Sequence, residues 1–145
     1  MSAQPNLGMT VTTFENPMGI NGFEFVEFAA PAGQADAMRT YLQNLGFSAV
    51  AQHKSRNITL YRQGTINFLL NEDRDSFAAD FAREHGPSAC GFAIRFRKPT
   101  SEVLAHVLAN GGEKIDHKPE TAAVDTPAIK GIGGCMPRLG CALMR

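Results

Sequence analysis

Residues 22–30 read GFEFVEFAA and residues 89–96 read ACGFAIRF, each followed closely by a proline, Pro31 and Pro99. Both stretches are strand candidates, because Phe, Val and Ile in rough alternation suit a pleated surface with one packed face. In the first, alternation puts Glu24 on one face and Glu27 on the other, with Phe25 beside Glu27. A helix follows each strand. The first runs from about Gln34 to Leu45, with Met38, Tyr41, Leu42 and Leu45 on one stripe and Gly46 as its stop. The second runs from Thr100 to Asn110, with Val103, Leu104, Val107 and Leu108 as the buried stripe and Gly111-Gly112 at its end.

Outward from these pairs, strands are expected at Phe47–His53, Asn57–Arg62 and Ile66–Leu70, separated by polar or glycine turns such as Gln63-Gly64. Asp75 to His85 reads as a short helix with Phe77 and Phe81 one turn apart, closed by Gly86-Pro87. Glu113–Asp116, Ala128–Ile132 and Gly140–Met144 are further strand candidates. Gly22-Phe23 with Pro31 echoes Gly91-Phe92 with Pro99, and Leu45-Gly46 echoes Asn110-Gly111. The sequence therefore predicts an α+β chain of two βαβββ units, about residues 20–72 and 88–145, preceded by a flexible tail over residues 1–15. Two such units side by side make a curved, mostly antiparallel sheet with helices outside and a concave inner face.

At 145 residues the chain has the size of one domain. Its 14 Lys and Arg balance 14 Asp and Glu, so no net field draws in nucleic acid or an anionic membrane. No apolar run is long enough to span a bilayer, and the polar start lacks the order of a signal peptide. Three cysteines, Cys90, Cys135 and Cys141, have no zinc-like spacing. Reduced thiols in a cytoplasmic protein are the expectation.

A mononuclear metal site needs about three ligands, usually His with Asp or Glu, converging from separate strands. The histidines do not suggest one. His53 sits at a strand end beside Lys54 and Arg56, His85 in the last turn of a helix, His106 opposite its helix's apolar stripe, and His117 in a polar loop. The inner face around Phe25 and Gly91 is apolar or empty, and Glu27 alone makes no site. From Thr126 to Arg145 there is no His, Asp or Glu, and Cys135 and Cys141 read as small hydrophobes. GIGG at Gly131 to Gly134 lacks the strand–turn–helix setting of a dinucleotide loop. Nothing orients Ser88 and His85 as nucleophile and base. Arg56, Arg62, Arg95 and Arg97 offer an anion site in principle, but strand arginines more often form a solvated face. No catalytic, cofactor-binding or metal-binding residue is assigned.

Four stretches carry a resemblance: NPMGINGFEFVEFAAP (Asn16–Pro31), HKSRNITLYRQGTINFLLN (His53–Asn71), FAREHGPSACGFAIRF (Phe81–Phe96) and PAIKGIGG (Pro127–Gly134). Together they resemble the amino-terminal domain of bacterial 4-hydroxyphenylpyruvate dioxygenases, from about Glu15 to Gly134. The resemblance implies the vicinal-oxygen-chelate fold. It also implies a parent enzyme with a non-catalytic first domain and a second domain holding Fe(II) through two histidines and one glutamate. That parent converts 4-hydroxyphenylpyruvate and dioxygen to homogentisate and carbon dioxide, a step of tyrosine breakdown. No residue of this chain matches the iron ligands. The sequence departs from the family after GIGG, where CMPRLGCALMR puts Pro137 and Arg138 at a strand position. Because proline cannot donate to a ladder, the last strand is expected at an edge or absent.

Three readings follow. The first is a scaffold half whose partner is the catalytic carboxy-terminal domain. The second is a stand-alone degenerate domain that pairs with a second copy and holds a small aromatic molecule on its concave face, where Phe23, Phe25, Phe68 and Phe92 are candidate lining. The third, an independent metalloenzyme, lacks ligands.

Overall fold

The structure, a computed structural model, describes residues 14–30, 33–116, 124–132 and 135–140. Its elements run β1 (Ile20–Ala29), α1 (Ala35–Asn44), β2 (Ser48–Gln52), β3 (Ile58–Gln63), β4 (Ile66–Asn71), α2 (Phe77–His85), β5 (Ser88–Phe96), α3 (Thr100–Ala109), β6 (Lys114–Ile115), β7 (Ala128–Ile129) and β8 (Met136–Gly140). This is βαβββ twice, with α2 as the connection. The expected repeat and fold class are both present.

The eight strands form one sheet in the order β2-β3-β4-β1-β5-β8-β7-β6. Within each unit the first strand pairs in parallel with the last, β1 with β4 and β5 with β8. The units join through the antiparallel β1–β5 ladder, from Ile20 opposite Phe96 to Ala29 opposite Ser88. Gly46 (φ +88°) turns the chain out of α1, a conformation costly for other residues. Ser76 caps α2 by accepting from the Ala79 amide, and Gly86 ends it.

Register fixes which side chains share a face. Phe68, Val26 and Phe92 are Cα partners across β4, β1 and β5, so they lie on one side. On that side α1 packs Ala35 and Leu42 onto Phe47, Tyr61 and Leu70, and α3 packs Val103 onto Phe96 and Leu139. The side away from α1 and α3 holds Phe25, Ile58, Leu69 and Ala93, with Leu60 and Val124 against them. α2 sets Ala78 and Ala82 on Ala29 and Cys90. Burying one such aliphatic or aromatic side chain is worth about 1.5–3 kcal/mol over leaving it exposed.

The last strand corrects the sequence reading. It is neither absent nor at an edge: β8 lies between β5 and β7, and Met136 to Gly140 are all buried. The Leu139 amide donates to the Pro127 carbonyl, toward β7. Alternation turns the Pro137 nitrogen the same way, so the missing donor falls on the β7 side and the β5–β8 ladder keeps its bonds. β7 pairs with β8 only at Ala128 and Arg138, and Gly131 lies against the proline ring. Residues 141–144 of the expected Gly140–Met144 strand lie outside the described residues, as do residues 1–13 of the expected tail.

The helical stripes are narrower than predicted. Tyr41 of α1 and Leu45 just past it are 60% and 48% exposed, and Leu108 of α3 is 44% exposed. His53 falls one residue past β2, and its amide donates to the Ile58 carbonyl across the turn.

A Cβ added at Gly131 would stand 2.6 Å from Cys135 Sγ and 2.7 Å from Pro137 Cδ. Gly131→Ala is therefore expected to cost about 1–3 kcal/mol, read as a lower urea midpoint at unchanged slope. An unchanged midpoint would mean that the β7–β8 turn accepts the carbon without moving the proline.

Candidate functional site

On the face away from α1 and α3, side chains from the first and last strands of the two units converge. Register places Glu27 and Phe25 of β1 there, beside Leu69 of β4 and opposite Gly91 and Ala93 of β5. Arg138 of β8 joins them as the partner of Ala93.

Two carboxylates are buried on or beside this face. Glu27 is 4% exposed and accepts from Asn71 Nδ2 at 2.7 Å. Asn71 Oδ1 in turn accepts from the Asp73 amide, and Asp73 accepts from Arg56 Nε at 2.8 Å. Gly91 leaves the carboxylate its space: a Cβ there would lie 3.7 Å from Glu27 Oε2 and 3.0 Å from the Met136 carbonyl. Burial raises the Glu27 pKa, and the Asn71 hydrogen bond and the Arg138 and Arg56 charges offset only part of that rise.

Glu24 corrects simple alternation. Phe23 opposes Ile94 while Phe25 opposes Ala93, so Glu24 is an extra residue in the ladder, a β-bulge. Its side chain turns toward Gly140 and Arg95, which pair with each other and share a face with Ala93. Arg95 Nη1 stands 3.5 Å from its carboxylate, and a Cβ at Gly140 would meet Glu24 Cβ at 3.5 Å. Its carbonyl accepts from Asn67 Nδ2 at 2.8 Å, and Arg62 donates to Asn67 Oδ1. Arg56, Arg62 and Arg95 thus spend their donors inside the chain, while Arg97 is exposed.

Arg138 was read from sequence only as an obstacle to a strand. It is 2% exposed, and its Nη1 donates to the Val124 carbonyl at 3.0 Å and, more weakly, to the Thr126 carbonyl at 3.5 Å. Val124 sits on the Phe25 cluster. A signal was present: Arg138 is the one charge in CMPRLGCALM, residues 135–144, and a lone charge in an apolar strand is buried with partners.

The remaining candidates do not converge. His53 is exposed and accepts from the Ser55 amide. His85 lies 4.4 Å from the Phe81 ring, and His106 is exposed on α3. His117, Cys141, Gly133 and Gly134 lie outside the described residues. Ser88 Oγ donates to the Gly86 carbonyl. Cys90 is buried, and burial pushes its thiol far above the usual range, so it is no nucleophile. The four phenylalanines share no lining: Phe23 and Phe92 form an edge-to-face pair on the helix side, Phe68 stacks on Phe47 under α1, and only Phe25 faces inward. A groove of about 690 Å³ does lie beside α1, walled by Phe28, Met38, Tyr41, Leu45, Phe68 and Pro87.

Among the described residues no three of His, Cys, Asp and Glu converge on one point. Among the described residues the inner face offers a metal two carboxylates, Glu24 and Glu27, with no histidine beside them, and guanidinium groups, which carry no lone pair and repel a cation, act on both: Arg95 on Glu24, Arg138 and Arg56 on Glu27. These residues do not fit the Fe(II) that the family resemblance brings to mind.

Glu27 gives stability a defined pH dependence. Its folded pKa lies above the unfolded value near 4.5, so the folded state holds the proton longer. Stability is expected to fall as pH rises from about 4.5 through the folded value, and Glu27→Gln should flatten that part of the profile. Asp73 acts in the opposite sense. Burial alone would raise its pKa, but Arg56 and the Asp75 and Asn57 amides lower it, so its contribution is lost as pH falls below about 3.8. Urea midpoints from pH 3 to pH 9 read both, and a Glu27→Gln profile parallel to the parent's above pH 4.5 would contradict the assignment.

Comparison with known proteins agrees with this architecture. The family described as hydroxyphenylpyruvate dioxygenase, HPPD, N-terminal, matches residues 14–139, reaching into β8. A 4-hydroxyphenylpyruvate dioxygenase of Pseudomonas sp. (strain P.J. 874) is 43% identical over 83% of this chain and 33% of its own length. A solved xylose isomerase-like TIM barrel/4-hydroxyphenylpyruvate dioxygenase fusion protein superposes with a TM-score of 0.78 at 31% identity, covering 86% of this chain and 20% of that one. A methylmalonyl-CoA epimerase from Mycobacterium tuberculosis, TM-score 0.67 at 17% identity over 88% of this chain and 92% of its own, shares the fold. The chain spans about a third of the length of the curated dioxygenases it matches. It belongs to the family of hydroxyphenylpyruvate dioxygenase N-terminal domains.

Proposed function

We propose that this chain is the non-catalytic amino-terminal part of a 4-hydroxyphenylpyruvate dioxygenase-type enzyme, which supports a separate Fe(II)-binding carboxy-terminal domain. The observation that carries the reading is the coverage: 83% of this chain aligns with a dioxygenase, but only a third of that enzyme is accounted for. The inner face supports it too, since Phe25, Gly91 and Arg138 stand where ligands from first and last strands would meet. In this reading the chain works in the cytoplasm, contacts neither nucleic acid nor membrane, and has the catalytic domain as its partner. Catalysis and the iron, held by two histidines and a glutamate, belong to that domain. No helix of the described residues is long and apolar enough to cross a membrane.

A second reading has one observation in its favour. The groove beside α1 is the size of a small-molecule site and has no charged wall. A stand-alone domain that pairs with its own copy and holds a small aromatic molecule would use that groove rather than the filled concave face.

The purified chain, supplied with Fe(II), 4-hydroxyphenylpyruvate and dioxygen, is expected to form no homogentisate and to retain iron well below one per chain. Homogentisate formed above the protein-free rate would overturn the scaffold reading. Saturable binding of 4-hydroxyphenylpyruvate, abolished by Met38→Trp, would favour the second.

A further inference from the structure

We propose that Arg138 is the resident cation of the concave face, the counter-charge that lets Glu27 stay buried where the two units meet. The two groups come from opposite ends of the fold, Glu27 from the first strand of the first unit and Arg138 from the last strand of the second. Each is nearly inaccessible, at 4% and 2% exposure. β1 and β8 both pair with β5, one on either side, and Ala93 of β5 is the Cα partner of both Phe25 and Arg138. Only small residues, Gly91 and Ala93, separate the carboxylate from the guanidinium on this face. A buried carboxylate without a nearby positive charge is destabilising or gives up its charge by taking a proton.

The same guanidinium holds the Val124 and Thr126 carbonyls, and Val124 packs on Phe25, Ile58, Leu69 and Ala93. One side chain therefore balances the charge of the first unit and seats the residue that covers its apolar patch. The surroundings of the pair are definite. Glu27 accepts from Asn71 of β4, and the charges of Arg138 of β8 and Arg56 of the turn before β3 act on it, as its own acts on the Cys90 thiol of β5. Arg138 is acted on by the charges of Glu27, Cys90, Asp125 and Arg56. Arg56 is engaged by Asp73 at 2.8 Å, so Arg138 carries the larger share at Glu27.

The test is a double-mutant cycle on the full chain, with Glu27→Gln, Arg138→Met and the two together, read by urea unfolding at pH 4.5 and pH 8. Arg138→Met keeps most of the volume and removes the charge. It is expected to raise the unfolding constant on the order of a hundredfold at pH 8. The loss should be clearly smaller at pH 4.5, where Glu27 takes up a proton. Adding Glu27→Gln should recover much of the pH 8 loss, because no buried charge is then left exposed to the missing one. The part not recovered reports the carbonyl contacts, which carry no pH dependence in this range. If Arg138→Met alone does not fold at pH 8, recovery of a folded chain in the double variant serves as the same readout. Equal losses at both pH values, or additive losses in the double variant, would show that Arg138 acts only through packing and its carbonyl bonds, and would overturn the proposal.

Discussion

The β1–β5 ladder is the interaction on which the rest of this structure depends. The ladder from Ile20–Phe96 to Ala29–Ser88 fuses the two βαβββ units into one eight-stranded sheet. Because β1 and β5 also pair in parallel with β4 and β8, every central strand is committed on both sides. Helices α1 and α3 can then cover one face as a pair, and the other face curves into a concavity whose floor is β1 and β5. The ladder is not regular. The bulge at Glu24 and the skipped position at Cys90 shift the register, and these irregularities decide which side chains reach the concavity.

Much of the fold was legible because two periodicities did not conflict. Phe and Val alternation marked β1 and β5, and the 3.6-residue stripe with a glycine stop marked α1 and α3. Repetition of that order gave the two units. Two things escaped. A bulge has no sequence signature, so alternation puts Glu24 on the wrong face, and its burial is not legible in the sequence. Proline in a strand normally argues for an edge, yet Pro137 sits in a strand paired on both sides. The rule concerns the missing amide, and here that amide would have pointed at a two-residue partner, β7, that has already turned away at Gly131. Only the three-dimensional register could show this.

The absence of a site in the sequence was inferred from residue types, four scattered histidines and an acid-free carboxy-terminal stretch. The structure shows what the described residues put on the concave face. Phe25, Leu69, Ile58 and Val124 fill one part, and the Glu27–Asn71 pair with Arg138 fills another. A curved sheet of this kind is stable only if something satisfies its inner face. Apolar residues alone would have sufficed, and would commonly have been as stable. Retaining a buried carboxylate and a guanidinium instead fixes how the two units register. A one-residue slip of β8 along β5 would carry Arg138 to the helix side and leave Glu27 without its nearest large positive charge. An all-aliphatic face would tolerate that slip far better. The charge pair therefore makes more sense as a device for alignment than as a source of stability. That matters most for β8, which has only a one-residue pairing to β7 and must take its register from β5.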